Sequence, residues 1–168
     1  MSQKNPAADR APSYLADEHG LRTWLLTTDH KRIAILYLIG VTAFFFLGSL
    51  AAALVRIELV TPDGDLLSPD GYNRTFTLHG VVMVWFFLIP SIPAVFGNFL
   101  IPIMIGAKEM AFPKLNLFSW YLLVGGGLFT LYSLLAGGVD TGWTFYTPLS
   151  TMFSNGHAVA VILGVFIV

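Results

Sequence analysis

One histidine inside a long apolar stretch is the residue of this sequence best suited to chemistry. His79 is followed directly by Gly80, and no charged side chain lies between residues 75 and 105. An ionisable group in hydrocarbon is costly, so it needs a partner or a cavity. The imidazole could ligate a haem iron, and Gly80 would let a flat ligand approach the helix. A hydrogen-bonded core or interfacial histidine is the alternative interpretation.

No second histidine lies within an apolar stretch to complete a haem with two axial histidines. His30 and His157 flank such stretches, and His19 lies in a polar segment. Haems of this kind take one histidine on each side of the iron. The second ligand would therefore come from another part of the protein or from a partner.

Four further side chains could do chemistry, although each has an ordinary explanation. Arg56 follows the first apolar stretch, where an arginine often anchors the end of a helix. Glu58 comes two residues later and can be a solvated loop acid. Glu109 follows Lys108, and such neighbours normally form a solvated pair. Trp143 lies in a later loop, where aromatic side chains anchor helices at the membrane interface.

The composition requires lipid as the solvent for most of the chain. Of 168 residues, 55% are hydrophobic and 11% are charged, with a mean hydropathy of +0.71. Soluble domains carry roughly 25% charged residues. The net charge of -1 excludes a nucleic-acid partner, and the absence of cysteine excludes disulfides, thiolate iron–sulfur clusters and cysteine-type zinc sites. A metal would be held by histidine, carboxylate or methionine.

Apolar runs of helical length predict an all-α fold, a polytopic membrane helical bundle that occupies residues 33–168. The first span, 33–54, has no charged residue and would be about 33 Å long, close to the thickness of the hydrocarbon layer. Two more full spans are predicted over 75–105 and 117–136, and the start of a fourth over 158–168. So short a stub cannot cross a bilayer. We therefore expect either a fragment of a longer chain or a partner that completes the helix.

Two features predict local departures from straight, separate helices. Pro90, Pro93 and Pro102 predict kinks or a tilt in the second span. The glycine run 125–127 in the third span would let another backbone approach closely.

Basic residues predict the orientation of the bundle. They are concentrated before the first span and in the loop after the second, at Lys4, Arg10, Arg22, Lys31, Arg32, Lys108 and Lys114. Loops rich in lysine and arginine stay on the inner side of a membrane. The N-terminal segment, 1–32, is therefore expected to be cytoplasmic and interfacial.

Several spaced blocks of sequence follow one another from about residue 27 to the end of the chain. They are TDHKRI at 28–33, LYL at 36–38, RIEL at 56–59, TLHG at 77–80, FGNFLIP at 96–102, IGA at 105–107, MAFPKLN at 110–116 and TGW at 141–143. In this order they resemble the start of subunit I of haem-copper terminal oxidases, the cytochrome c oxidase type. The resemblance implies a subunit of the bacterial plasma membrane that reduces dioxygen to water and pumps protons.

The resemblance also implies cofactors and partners. The low-spin haem is expected to be haem A, while a high-spin haem and copper would be bound by later parts of the subunit. This segment alone would therefore hold no catalytic residue. The expected partners are the remaining part of subunit I, subunits II and III, lipid, and cytochrome c or a quinol as electron donor.

Four residues match positions around the low-spin haem or near it. His79, with Gly80 beside it, matches an axial ligand of that haem. Arg56 matches an arginine that donates a hydrogen bond to the haem formyl group, and Trp143 matches a tryptophan packed over the haem-propionate and water-exit region. Glu58 matches a carboxylate of a structural cation site.

A second group matches the family's proton-uptake channel. Glu109 takes the place of the aspartate at the channel mouth, Asn98 and Asn116 match two channel asparagines, and Tyr37 matches a channel-lining tyrosine. Tyr37 precedes Arg56 by nineteen residues, about 28 Å of helix, so the channel entry and the haem ligand would lie near opposite faces. The family's usual Pro-Asp is Lys-Glu here, a longer carboxylate with a cation beside it.

Two other classes of protein stay open. A b-type membrane electron-transfer cytochrome would also use a helix histidine, but it should supply paired histidines within its own spans. A haem-free structural membrane subunit would account for the hydropathy and the topology. A difference spectrum of the purified protein with its partner subunits separates these classes.

Overall fold

The computed structural model describes residues 20–154 and 157–168, and within them every regular element is a helix. In chain order the helices are α1 (Leu21–Leu25), α2 (His30–Glu58), α3 (Pro69–Ile105), α4 (Pro113–Ala136) and α5 (Ala158–Ile167). A π-helical turn, Leu149–Phe153, precedes α5. Most of the predicted N-terminal segment, residues 1–19, lies outside the described residues.

Helix α2 begins before the predicted span because a polar side chain caps it. The Asp29 carboxylate accepts hydrogen bonds from the backbone amides of Lys31 at 2.7 Å and Arg32 at 3.4 Å. At 29 residues the helix is about 43 Å long, more than the hydrocarbon layer requires. One face is buried along its whole length, at Ile33, Ala34, Tyr37, Val41, Phe44, Gly48, Ala51 and Val55. This face contacts the other helices.

Helix α3 also begins earlier than predicted and ends on a glycine. Ser68 Oγ accepts a hydrogen bond from the amide of Gly71 at 3.1 Å, and Pro69 occupies the first turn, where its missing N–H costs nothing. At the other end Gly106 adopts a φ of +67°, the left-handed conformation that terminates helices.

The prolines of α3 change the winding of the helix without ending it. Two π-helical segments, Val82–Leu88 and Ser91–Phe96, lie on either side of Pro90. Proline cannot donate to the carbonyl one turn earlier, and its ring clashes with that carbonyl in an α-helix. Local π winding is one way in which a helix accommodates a proline. The helix therefore continues through Pro90 and Pro93.

The glycine run of α4 packs closely against two partners, as its sequence predicts. A Cβ at Gly127 would collide with the Phe44 ring of α2. One at Gly126 would lie 2.9 Å from the carbonyl oxygen of Gly164 on α5. Any side chain at these two positions would overlap its neighbour. Only glycine therefore allows α4 to pack this closely against α2 and α5.

Among the described residues, three helices are long and apolar enough to cross a membrane: α2, α3 and α4. Helix α5 has 10 residues and is shorter than a span. Large apolar side chains such as Phe46 and Leu135 point outward from the bundle, as lipid contact requires. The predicted all-α, multi-pass membrane bundle is confirmed.

Candidate functional site

The backbone of a neighbouring helix holds the ring of His79. Its Nδ1 lies 2.9 Å from the carbonyl oxygen of Gly48 on α2. Because a carbonyl oxygen can only accept, Nδ1 carries a proton, and in the neutral imidazole Nε2 then keeps its lone pair. Histidines that bind metals are commonly oriented by such a bond from their other ring nitrogen. The geometry therefore leaves Nε2 of His79 available to a metal.

Gly48 is the point at which α2 and α3 approach each other closely. A Cβ at Gly48 would lie 2.7 Å from Cγ and Sδ of Met83. The missing side chain lets Met83 pack against α2 while His79, one turn earlier, reaches the Gly48 carbonyl. The glycine thus gives space to Met83 and a hydrogen-bond acceptor to His79.

Trp143 lies against Gly80, the residue that follows His79. A Cβ at Gly80 would lie between 2.6 and 2.9 Å from three atoms of the Trp143 side chain. The space beside Gly80, predicted to admit a flat ligand, is occupied here by this indole. Because Trp143 contacts the turn of α3 that carries His79, the structure brings these two predicted site residues together.

Arg56 lies in the last turn of α2, on a face that the described helices leave open. Its side chain is exposed and has no hydrogen bond or ion pair with a residue in the described ranges. It lies eight residues beyond Gly48, about 12 Å along the helix. The guanidinium is therefore accessible to a group outside this segment.

Glu58 is not a solvated loop acid, so the ordinary interpretation of its position is wrong. The residue is 8% exposed, and Oε2 accepts hydrogen bonds from the amides of Leu66 at 3.0 Å and Leu67 at 2.8 Å. Gly64, at a φ of +62°, leaves room for Oε1, since a Cβ there would lie 2.5 Å from it. The carboxylate closes the loop between α2 and α3.

We expect Glu58→Ala to destabilise the protein, because two backbone amides would lose their carboxylate acceptor. Hydrogen bonds to charged groups contribute about 1.5–3 kcal/mol. Thermal unfolding in detergent measures the loss, and Glu58→Gln, which keeps one acceptor oxygen, should lie between the parent and the alanine variant. An alanine variant as stable as the parent would contradict this role.

Glu109 pairs with a histidine from the start of α2. Its Oε2 lies 2.8 Å from Nδ1 of His30, and the two side chains are 48% and 6% exposed, respectively. The expected solvated pair with Lys108 is therefore not the main contact of this carboxylate. One side of Glu109 faces water and the other faces a buried imidazole.

The two predicted channel asparagines meet in a reciprocal pair. Asn98 Nδ2 lies 3.2 Å from Oδ1 of Asn116, and Asn116 Nδ2 donates to Oδ1 of Asn98. Asn98 is buried, and its amide also donates to the carbonyl oxygen of Ala94 at 2.7 Å. The pair links α3 to α4.

Tyr37 joins the same polar cluster through a serine. Its hydroxyl lies 2.7 Å from Oγ of Ser119, and Ser119 Oγ donates to the carbonyl oxygen of Asn116 at 2.7 Å. Tyr37, Ser119, Asn116 and Asn98 thus form a connected polar cluster between three helices, which we call the amide cluster.

Sequence reasoning misses two residues of this region, His30 and Ser119. His30 belongs to the TDHKRI block but was assigned no partner there. Ser119 lies three residues after Asn116, on the same side of a helix, and this spacing is the signal that could have found it.

One face of α2 connects the two groups of residues. Tyr37 and Gly48 both lie on its buried face, eleven residues apart, which is about 16 Å along the axis. Tyr37 belongs to the amide cluster, whereas Gly48 contacts His79. The histidine and the amide cluster are therefore well separated, as the sequence predicts.

The donor set around His79 suits a haem better than a bare metal ion. Within the described residues there is no group of three or more histidine, cysteine or carboxylate side chains that could hold a metal. A zinc site needs three or four such ligands. A haem iron takes its equatorial ligands from the macrocycle, so one oriented imidazole is enough on each side.

Comparison with known proteins agrees with this arrangement. The family described as "Cytochrome C and Quinol oxidase polypeptide I" matches residues 32–168. The chain is 42% identical over 140 residues to cytochrome c oxidase subunit 1 of Thermostichus vulcanus, covering 83% of this chain and 25% of that protein. It is 44% identical over 135 residues to the subunit of the same name in Corynebacterium efficiens, covering 78% and 23%.

The chain thus spans about a quarter of the length of the curated relatives it matches. The matched region contains all three membrane-crossing helices and both groups of polar residues, except for the first residues of α2. A match of this extent, on a bundle with one oriented membrane histidine, shows that the chain belongs to the cytochrome c and quinol oxidase polypeptide I family.

Proposed function

We propose that this chain is the N-terminal part of the catalytic subunit of a proton-pumping respiratory terminal oxidase that reduces dioxygen to water. The observation that carries the proposal is the orientation of His79, whose Nδ1 is fixed on Gly48 and whose Nε2 is left for a metal. The segment would supply one ligand of a low-spin haem and the entry of a proton-uptake channel. The oxygen-reducing haem and copper would be held by later parts of the subunit.

A difference spectrum of the purified oxidase with all its subunits tests this proposal. We expect the bands of a low-spin haem together with those of a second haem. A preparation that contains every subunit and shows no haem bands would leave only a structural role for this chain.

His79 would hold the haem iron through Nε2, and the Gly48 carbonyl would keep its ring in one orientation. A low-spin haem, here haem A, transfers single electrons without binding oxygen. Trp143 would exclude water from the adjoining turn of α3. Arg56, exposed at the same end of the bundle, would donate to the haem formyl group.

Glu109 would gather protons at the mouth of the channel, because a fixed negative charge raises the local concentration of protons. His30, 2.8 Å away, gives this carboxylate a second proton-binding group as its partner. The amide cluster lies deeper in the bundle. Amides and hydroxyls order water but do not trap a proton, as a conduit requires.

We place the Glu109 end of the bundle at the cytoplasmic side of a bacterial plasma membrane. The described basic residues near that end are Arg22, Lys31, Arg32, Lys108 and Lys114. Such an excess stays on the inner side of a membrane. The partners would be the rest of subunit I, subunits II and III, lipid, and cytochrome c or a quinol as electron donor.

In an oxidase whose low-spin haem carries a formyl group, Arg56→Met should shift the visible band of that haem to the blue and lower its reduction potential. A hydrogen bond from a cation withdraws electron density from the macrocycle, so its loss favours the oxidised iron. Visible spectra and a redox titration measure both changes. Arg56→Lys, which keeps the charge, should shift less, and an unaltered band in Arg56→Met would mean that Arg56 only anchors the helix.

A further inference from the structure

Thr77 is fully buried, and its hydroxyl has one partner in its own helix and another in a loop. Oγ1 donates to the carbonyl oxygen of Asn73, one turn earlier in α3, at 2.8 Å. It accepts a hydrogen bond from the amide of Gly142, in the loop after α4, at 3.0 Å. Because the hydroxyl proton points at the Asn73 carbonyl, a lone pair of the oxygen is left to accept from Gly142. Thr77 thus ties this loop to α3.

The backbone of the loop after α4 adopts conformations that its contacts with the rest of the protein must stabilise. Gly142 adopts a φ of +76° and Phe145 a φ of +49°, and a bulky residue rarely takes the left-handed conformation. Val139 and Thr141 are buried beside them. The loop therefore holds one conformation only while its surroundings fix it.

Trp143 directly follows the anchored Gly142, and its side chain lies against Gly80. Thr77 and Gly80 are three residues apart on α3, so they lie on the same side of the helix, with His79 in the turn between them. The loop therefore touches the histidine's turn at two points, one polar and one apolar.

From this geometry we propose that Thr77 is a positioning residue, which acts through the Gly142 amide to hold Trp143 against the turn of α3 that carries His79. The inference rests on the proposed haem role of His79. A fixed indole keeps water away from that turn. Water near a haem favours the oxidised iron, so release of the indole should make the reduction potential more negative.

The test compares Thr77→Val with Thr77→Ser in the full-length oxidase. Valine has the shape of threonine but cannot accept from Gly142, whereas serine can. Thr130→Val is the matched control, because Thr130 is equally buried and its hydroxyl has no hydrogen-bond partner among the described residues. Two quantities are measured: hydrogen exchange of the peptide that contains residues 139–146, and the midpoint potential of the low-spin haem.

We expect the loop amides of Thr77→Val to exchange about tenfold faster or more, because an anchoring hydrogen bond is lost. Its low-spin haem should have a more negative potential. Thr77→Ser and Thr130→Val should match the parent in both quantities. If Thr77→Val does not assemble, Thr77→Ala removes the same hydroxyl without placing a second methyl group at the site.

A double variant shows whether Thr77 acts through the indole. In a Trp143→Ala background, Thr77→Val should shift the potential little further, since there is no indole left to release. Unchanged loop exchange in both Thr77→Val and Thr77→Ala would overturn the anchoring role, and so would an equal change in Thr130→Val. Faster exchange with an unchanged potential would overturn the link to the haem. A low-spin haem that survives His79→Ala would instead count against the proposed function, whatever the Thr77 variants show.

Discussion

Replacement of His79 by alanine in the full-length oxidase is expected to abolish assembly of the low-spin haem. The imidazole is the axial donor that α3 would provide, and its Nδ1 is already committed to the Gly48 carbonyl at 2.9 Å. Within the described residues, no group of three or more histidine, cysteine or carboxylate side chains offers an alternative metal site. A six-coordinate iron without this ligand loses its low-spin character. Haem content and reduced-minus-oxidised spectra measure the loss.

His157→Ala is the matched control for this experiment. His157 is an exposed histidine just before α5, in contact with Gly137 and far in sequence from the TLHG block. Its removal should leave the low-spin spectrum intact. A normal low-spin spectrum in His79→Ala would contradict the assignment of His79 as a haem ligand. The imidazole would then be a hydrogen-bonded core histidine.

Glu109→Gln should slow steady-state oxygen reduction on the order of tenfold or more, because the proposed channel mouth would rely on this charge for its supply of protons. The haem spectra should stay unchanged, since Glu109 belongs to the opposite end of the bundle from His79. Glutamine would also leave the buried His30 without its carboxylate partner. Oxygen consumption and proton ejection in reconstituted vesicles measure the effect.

Two variants separate charge from geometry at this position. Glu109→Asp keeps the charge, so turnover and pumping should be retained although the bond to His30 is stretched. Lys108→Gln should have a mild effect, since the carboxylate pairs with the histidine rather than with its neighbour. Full activity in Glu109→Gln would mean that protons enter by another route.

The membrane-crossing helices follow from the apolar runs, although their ends do not. Hydropathy marks only the part of a helix that lipid covers. Helices α2 and α3 extend further because Asp29 and Ser68 cap polar turns that hydropathy does not detect. The π-helical winding of α3 could not be predicted either. A proline predicts that a helix is distorted, but not whether the distortion is a kink or a π segment.

Some contacts of the candidate site could be predicted from the sequence, whereas others join residues that are far apart in the chain. The juxtaposition of Asn98 and Asn116 agrees with the spacing implied by the resemblance. The pairing of His30 with Glu109 joins residues 79 positions apart, and no local pattern encodes such a contact. Glu58 was misjudged because only the folded loop brings two backbone amides to its carboxylate.

The two π-helical segments of α3 also affect the angle between two of its polar side chains. His79 and Asn98 are nineteen residues apart, and at about 100° per residue an unbroken α-helix would point them roughly 100° away from each other. A π segment advances fewer degrees per residue, and here both side chains turn into the bundle, one to α2 and the other to α4. The azimuth of the amide relative to the imidazole therefore depends on the residue count between 82 and 96. A chain that lost one residue there would have to regain one within the same stretch, or the histidine and the amide would no longer face the bundle together.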